Sequence, residues 1–104
     1  RAKSMYDLNI SKVLNKFLQN KHILLLFICH KNQQGYFPTV IDAGEEFEIE
    51  HAYGYKLLEE LESGKSIAKC SKILYNGEYY NTYKITETAK FELREISRII
   101  NEIL

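Results

Sequence analysis

A chain of 104 residues, 45% hydrophobic and 27% charged, is large enough for one domain with one modest core, and its make-up excludes a disordered chain. Its formal net charge of zero argues against a uniformly basic nucleic-acid binder. The apolar run Ile23 to Cys29 falls far short of the roughly 20 residues a membrane span needs.

Taken in chain order, the first predicted element is a helix of about three turns, marked by Leu8, Ile10, Val13, Leu14, Phe17 and Leu18 at three- and four-residue spacing. Arg1-Ala2-Lys3-Ser4 stand ahead of Met5 as a basic arm or a trimmed tag and carry no weight in the fold. Ile23 to Lys31 is apolar nearly all round, as a helix at the centre of a small domain would be, and Gln33-Gln34-Gly35 breaks it. Thr39 is a cap residue supported by Asp42 three positions on. The helix it opens runs through Val40, Ala43 and Phe47 and stops near Glu48, because Ile49 is out of phase. A second short helix, Ala52 to Glu62, turns Leu58 and Leu61 inward and ends at Ser63-Gly64.

A hairpin follows. Asn76-Gly77 suits a type I′ turn, which needs positive φ at both central positions. Extended without interruption, that turn pairs Leu74 with Tyr79, Ile73 with Tyr80, Cys70 with Tyr83, Lys69 with Lys84 and Ala68 with Ile85. Alternation then collects Ala68, Cys70, Leu74, Tyr79, Tyr83 and Ile85 on an inner face, and Lys69, Ser71, Thr82 and Lys84 on a solvent face. Thr86 caps a last helix from about Glu87 to the C-terminus, roughly 27 Å long at 1.5 Å per residue.

Charge is segregated along the chain. Residues 1–39 carry six Lys/Arg against one acid, residues 40–62 carry eight acids against one Lys, and residues 63–91 carry five Lys against two Glu. The partner-facing surfaces therefore have to be judged segment by segment. Cys29 and Cys70 lack C-x-x-C or His spacing, so neither a metal site nor a disulfide framework is expected, and both should be reduced thiols. No signal-peptide pattern is visible, and the expected location is cytoplasmic.

The stretch Thr39 to Leu61 resembles the helix-turn-helix of winged-helix regulators. The matching points are Gly44 where the helices cross, Phe47 and Ile49 around the turn, and Leu58 and Leu61 inside the second helix. Ile67 opens the wing, and Tyr83 to Leu93 is similar to the strand-to-helix exit of the PadR and MarR regulator families. Two positions depart from that pattern: Glu48 stands where the turn usually takes Gly, and Gly54 where a branched apolar residue normally packs. The resemblance implies a mainly α fold with a small β-hairpin wing (α+β), a winged helix-turn-helix with extra N-terminal and long C-terminal helices. The whole chain is then one domain, with 39–63 as helix-turn-helix, 67–85 as wing and 87–104 as dimerisation helix.

It further implies that the second helix enters the major groove of duplex DNA with its N-terminal end leading, where free N–H groups and the helix dipole favour phosphate. The residues placed there are His51, Tyr53, Tyr55 and Lys56. Lys56 can donate to guanine, and the tyrosines and His51 can reach phosphate. Each also fits a plainer role, the tyrosines as packing residues and Lys56 and His51 as solvated surface groups. In the wing, Lys65, Lys69, Lys72, Lys84 and the tip residue Asn76 are the DNA candidates, and a phosphate between Lys69 and Lys84 would relieve a like-charge cross-strand pair. On the C-terminal helix, Leu93, Ile96, Ile100 and Ile103, with Ile99 and Phe91 beside the stripe, form the candidate interface of a homodimer; the plainer alternative is that the N-terminal helix covers the stripe within a monomer.

Glu59, Glu60 and Glu62 late in the recognition helix oppose DNA. No paired acid–base motif, Gly-rich phosphate loop, nucleophile elbow or metal spacing is visible, so no enzyme, catalytic residue, metal or cofactor is expected. The expected function is a dimeric, sequence-specific transcriptional regulator. Two alternatives stand beside it: a DNA-binding adaptor for plasmid or phage segregation, and a winged-helix protein-interaction module that does not bind DNA.

Overall fold

In the computed structural model, which describes residues 17–104, the chain forms α1 (Asn20–Gln33), α2 (Val40–Phe47), α3 (His51–Ser63), β1 (Ile67–Tyr75), β2 (Glu78–Ile85) and α4 (Glu87–Ile103). The fold is mainly α with a two-stranded antiparallel wing. The predicted helix over Leu8 to Leu18 lies outside the described residues but for its last two positions. No helix among the described residues is long and apolar enough to cross a membrane.

α1 is the central helix that its all-round apolar sequence calls for: Ile23, Leu24, Leu25, Phe27 and Ile28 are buried. It starts three residues before Ile23 and ends two after Lys31. Phe27 meets Phe47 of α2 edge-on at 5.4 Å between ring centroids, a favoured arrangement for two rings. α2 opens with a full capping box: the Thr39 hydroxyl accepts from the Ile41 and Asp42 amides, and the Asp42 carboxylate accepts from the Thr39 amide at 2.8 Å. That satisfies amides a helix start otherwise leaves open.

The α2–α3 turn runs through Glu48, which sits in the left-handed region at φ 55° and ψ 46°, a conformation disfavoured for a residue with a Cβ. The other departure, Gly54, is a steric requirement. A Cβ there would lie 2.9 Å from Val40 Cγ2, so the two helices cross at a distance only glycine allows. Leu57, Leu58 and Leu61 complete the inner face of α3. At its end the left-handed residue is Lys65 (φ 60°) rather than Gly64, and the Ser66 amide reaches back to the Leu61 carbonyl at 2.9 Å.

The wing corrects the predicted register. Near the tip, Tyr75↔Glu78, Leu74↔Tyr79, Ile73↔Tyr80 and Lys72↔Asn81 pair as expected, around Asn76 and Gly77 at φ 50° and 81°. Toward the base the partners slip by one, to Lys69↔Tyr83, Ala68↔Lys84 and Ile67↔Ile85. Between them Cys70 and Ser71 face Thr82 alone, which is a β-bulge. Thr82, expected on the solvent face, is buried and donates its hydroxyl to the Ser71 carbonyl inside the bulge. Conversely, Leu74 and Tyr79, expected inside, are exposed, because the outer half of the hairpin extends past the core.

The free edge of β2 is closed by a side chain. Asn32 of α1 accepts the Ile85 amide on Oδ1 at 2.8 Å and donates through Nδ2 to the Tyr83 and Tyr36 carbonyls, at 3.4 and 3.1 Å. On the same edge the Tyr83 amide donates to the Pro38 carbonyl at 3.0 Å. Asn32 thus takes the place of a third strand at the root of the wing.

α4 leaves the wing with the Thr86 hydroxyl accepting the Ala89 amide at 3.2 Å. Ala89 is buried and Leu93 is half-buried against the core; beyond Leu93 no residue of the helix is buried. The described chain measures 49 × 29 × 24 Å along its principal axes.

Candidate nucleic-acid interface

α3 is held over the core by Gly54, Leu57, Leu58 and Leu61, which fixes its outer face by helical period. Over the leading half that face presents Ala52, Tyr53, Tyr55 and Lys56, all exposed. Over the trailing half it presents Glu59, Glu60 and Ser63, also exposed. Of the candidates, His51 lies back over the α2 crossing, where its Cδ2 would stand 3.5 Å from a Cβ added at Gly44.

The two flanks of α3 are unlike. On the α1 side, Tyr53 and Lys56 share a cleft of about 170 Å³ with Gln19, Asn20, Lys21 and Glu60. There Asn20 Nδ2 donates to the Tyr53 hydroxyl oxygen at 2.8 Å, and Lys21 Nζ lies 3.9 Å from Glu60 Oε1. On the wing side, Tyr55 lies within electrostatic reach of Tyr80 and Tyr83, and Glu59 and Glu62 within reach of Tyr83. The Tyr83 hydroxyl is pushed above the ordinary tyrosine range, first by burial and then by the Glu62 carboxylate and Tyr55. The Tyr80 hydroxyl is raised as well, chiefly because it donates to Glu78 at 2.8 Å.

The wing lysines do not form the expected clamp. With Lys69 opposite Tyr83 and Lys84 opposite Ala68, the like-charge pair does not exist. Strand alternation puts Lys69 and Lys72 on the side of the ribbon that faces α3, and Lys84 on the reverse. Lys69 lies 3.7 Å from Glu62 Oε1, so α3 neutralises it. Lys65, Lys72, Asn76 and Lys84 are exposed. The hairpin tip also exposes Ile73, Leu74, Tyr75 and Tyr79, and this apolar surface follows from the same extension beyond the core.

No family model matches the chain, and no curated protein matches it in sequence. Among solved structures, AF1382 from Archaeoglobus fulgidus is similar: 13% identical, with a TM-score of 0.65, covering 88% of this chain and 96% of its own. At that identity the likeness concerns the fold alone.

On α4, Ile96, Ile99, Ile100 and Ile103 are 52%, 46%, 48% and 75% exposed. At 100° per residue they share one arc with Leu93 and Ala89. Phe91, expected beside that arc, lies on the far side of the helix and is also exposed. The far side is stiffened by Arg98, which bridges Glu95 at 3.0 Å and Glu102 at 2.7 Å. Sequence reasoning missed Asn20, Lys21 and Asn32. Each acts on a partner more than 30 residues away, and no local pattern announces such a pairing.

Proposed function

We propose that this chain binds duplex DNA as a homodimer and acts as a sequence-specific regulator of transcription, with α3 entering the major groove by its leading end. The observation that carries the reading is the division of α3. Its inner side is buried on the core, while Tyr53, Tyr55 and Lys56 stand exposed together on the leading half. These side chains offer hydrogen-bond donors and aromatic surface, the chemistry that contacts base edges and phosphates. Lys72 and Lys84 add exposed cations on the wing, and the acids at Glu59 and Glu60 fall on the trailing half, the end that tilts out of the groove. The isoleucine arc of α4 is the surface through which two copies join, because a contiguous apolar stripe this long is unfavourable in water.

The experiment is fluorescence anisotropy of the purified protein against random and selected duplexes over a range of salt. If a dimer touches about six phosphates, log K falls against log salt with a slope of about −5. Absence of binding at low salt rejects the DNA reading.

A second reading is favoured by one group of observations: Lys69 tied to Glu62, the carboxylates along α3 and the apolar wing tip. Together they suit a protein-interaction module, whose signature is salt-insensitive association with a protein and none with DNA.

A further inference from the structure

Around α3 the charges that face its two flanks are balanced differently. The wing flank sets Lys69 and Lys72 against Glu59 and Glu62, with Lys69 already 3.7 Å from Glu62. The α1 flank sets Lys21 and Lys56 against Glu60 alone. An anion approaching the recognition helix therefore meets a balanced flank on the wing side and net attraction on the α1 side.

The α1 cleft also holds an unspent donor. A phenol has one hydrogen to donate and oxygen lone pairs to accept with. The Tyr53 oxygen accepts from Asn20 Nδ2 at 2.8 Å. That bond uses a lone pair and fixes the oxygen in place, and among the described residues the Tyr53 hydrogen is donated to none. Tyr53 and Lys56, three residues apart on α3, project into the same cleft as Lys21, the second residue of α1. Two cations and one neutral donor thus converge on a space open to solvent.

We infer that this cleft between α1 and α3 seats a backbone phosphate of the bound duplex, making the α1 flank, rather than the root of the wing, the main anchor beside the recognition helix. Tyr53 is the neutral donor to the phosphate oxygen, Lys21 and Lys56 supply the charge, and Asn20 is a positioning residue that acts through Tyr53. Arrival of the phosphate exchanges the long Lys21–Glu60 contact for a charged bond to the ligand. The inference rests on the DNA-binding reading and specifies which surface makes the contact.

The chemistry separates the roles. Tyr53 carries no charge, so its loss releases no counterion. Tyr53→Phe keeps the ring and should weaken every duplex alike, about tenfold or more for one hydrogen bond to a charged acceptor, with the salt slope and sequence preference unchanged. Lys21→Ala should instead flatten the slope by about 0.9 for each phosphate it leaves without a cation. Asn20→Ala should weaken binding in the wild-type background, yet add nothing in the Tyr53→Phe background. All three are surface changes, and thermal melting checks that each variant is folded.

Anisotropy titrations of the full chain with one set of duplexes at several salt concentrations read every arm. Wild-type binding that Tyr53→Phe and Lys21→Ala both leave untouched overturns the inference while the DNA reading stands. Altered sequence preference in Tyr53→Phe overturns it as well, by making Tyr53 a base reader. A wild-type protein that binds no duplex overturns both.

Discussion

Asn32→Ala tests the idea that one side chain stands in for a missing strand at the root of the wing. The substitution removes the Ile85 amide's bond at 2.8 Å and two donations, to Tyr36 at 3.1 Å and Tyr83 at 3.4 Å. The Ile85 position is deeply buried, at 4% exposure, so its amide cannot simply turn to water. Leaving a buried donor unpaired costs about 1–3 kcal/mol, and the better of the two donations adds about 1 kcal/mol. The expected loss is therefore about 2–4 kcal/mol, a drop of at least 8 °C in melting temperature at roughly 4–8 °C per kcal/mol for a domain of this size. Asn32→Asp separates the contributions. It keeps an acceptor for Ile85 but turns a carboxylate oxygen toward two carbonyls, so it should fall between wild type and alanine. Urea denaturation followed by circular dichroism measures all three proteins. An alanine variant within 0.5 kcal/mol of wild type, well under the roughly 1 kcal/mol of a single bond, would refute the reasoning, and so would an aspartate variant less stable than alanine.

Gly54→Ala gains about 1 kcal/mol of helix propensity but drives a Cβ to 2.9 Å from the buried Val40 Cγ2. Overpacking of that kind costs about 1–3 kcal/mol, so denaturation should show a net loss, and a stabilised variant would mean that the helices do not approach so closely. Tyr36 donates to Asp42 Oδ2 at 2.8 Å, and burial, that bond and the charges of Asp42 and Glu45 push its pKa from 10.0 to about 12. The protonated form is favoured in the fold. Its contribution is complete below pH 10 and is lost as pH rises toward about 12, so Tyr36→Phe should flatten the alkaline fall in melting temperature, and parallel curves would count against it. Ile96→Asp with Ile100→Asp puts charge on two half-exposed positions of the α4 arc and should yield a folded monomer in sedimentation, where wild type is expected to run as a dimer at protein concentrations on the order of tens of micromolar. A monomeric wild type rejects the α4 interface.

What the sequence determined by itself was whatever local chemistry decides. The Thr39–Asp42 capping box, the Asn76-Gly77 turn, the Thr86 cap and the all-round apolar α1 depend on residues a few positions apart, so among the described residues element order and boundaries were legible to within about three residues. The departures at Glu48 and Gly54 were visible too, since each breaks a pattern at one position. The tertiary structure alone decided matters that hinge on distant parts of the chain. The bulge at Cys70-Ser71 exists because Thr82 can close it from the other strand, and by moving the register one place it dissolved the Lys69–Lys84 pair. Lys69 is neutralised by Glu62 because α3 lies beside the wing, and Leu74 and Tyr79 are exposed because the hairpin runs past the core. Tyr53 acquires Asn20, and β2 acquires Asn32, across 33 and 53 residues of chain. Periodicity tells which side of an element faces inward, but only packing brings a particular polar side chain within hydrogen-bonding distance of its partner.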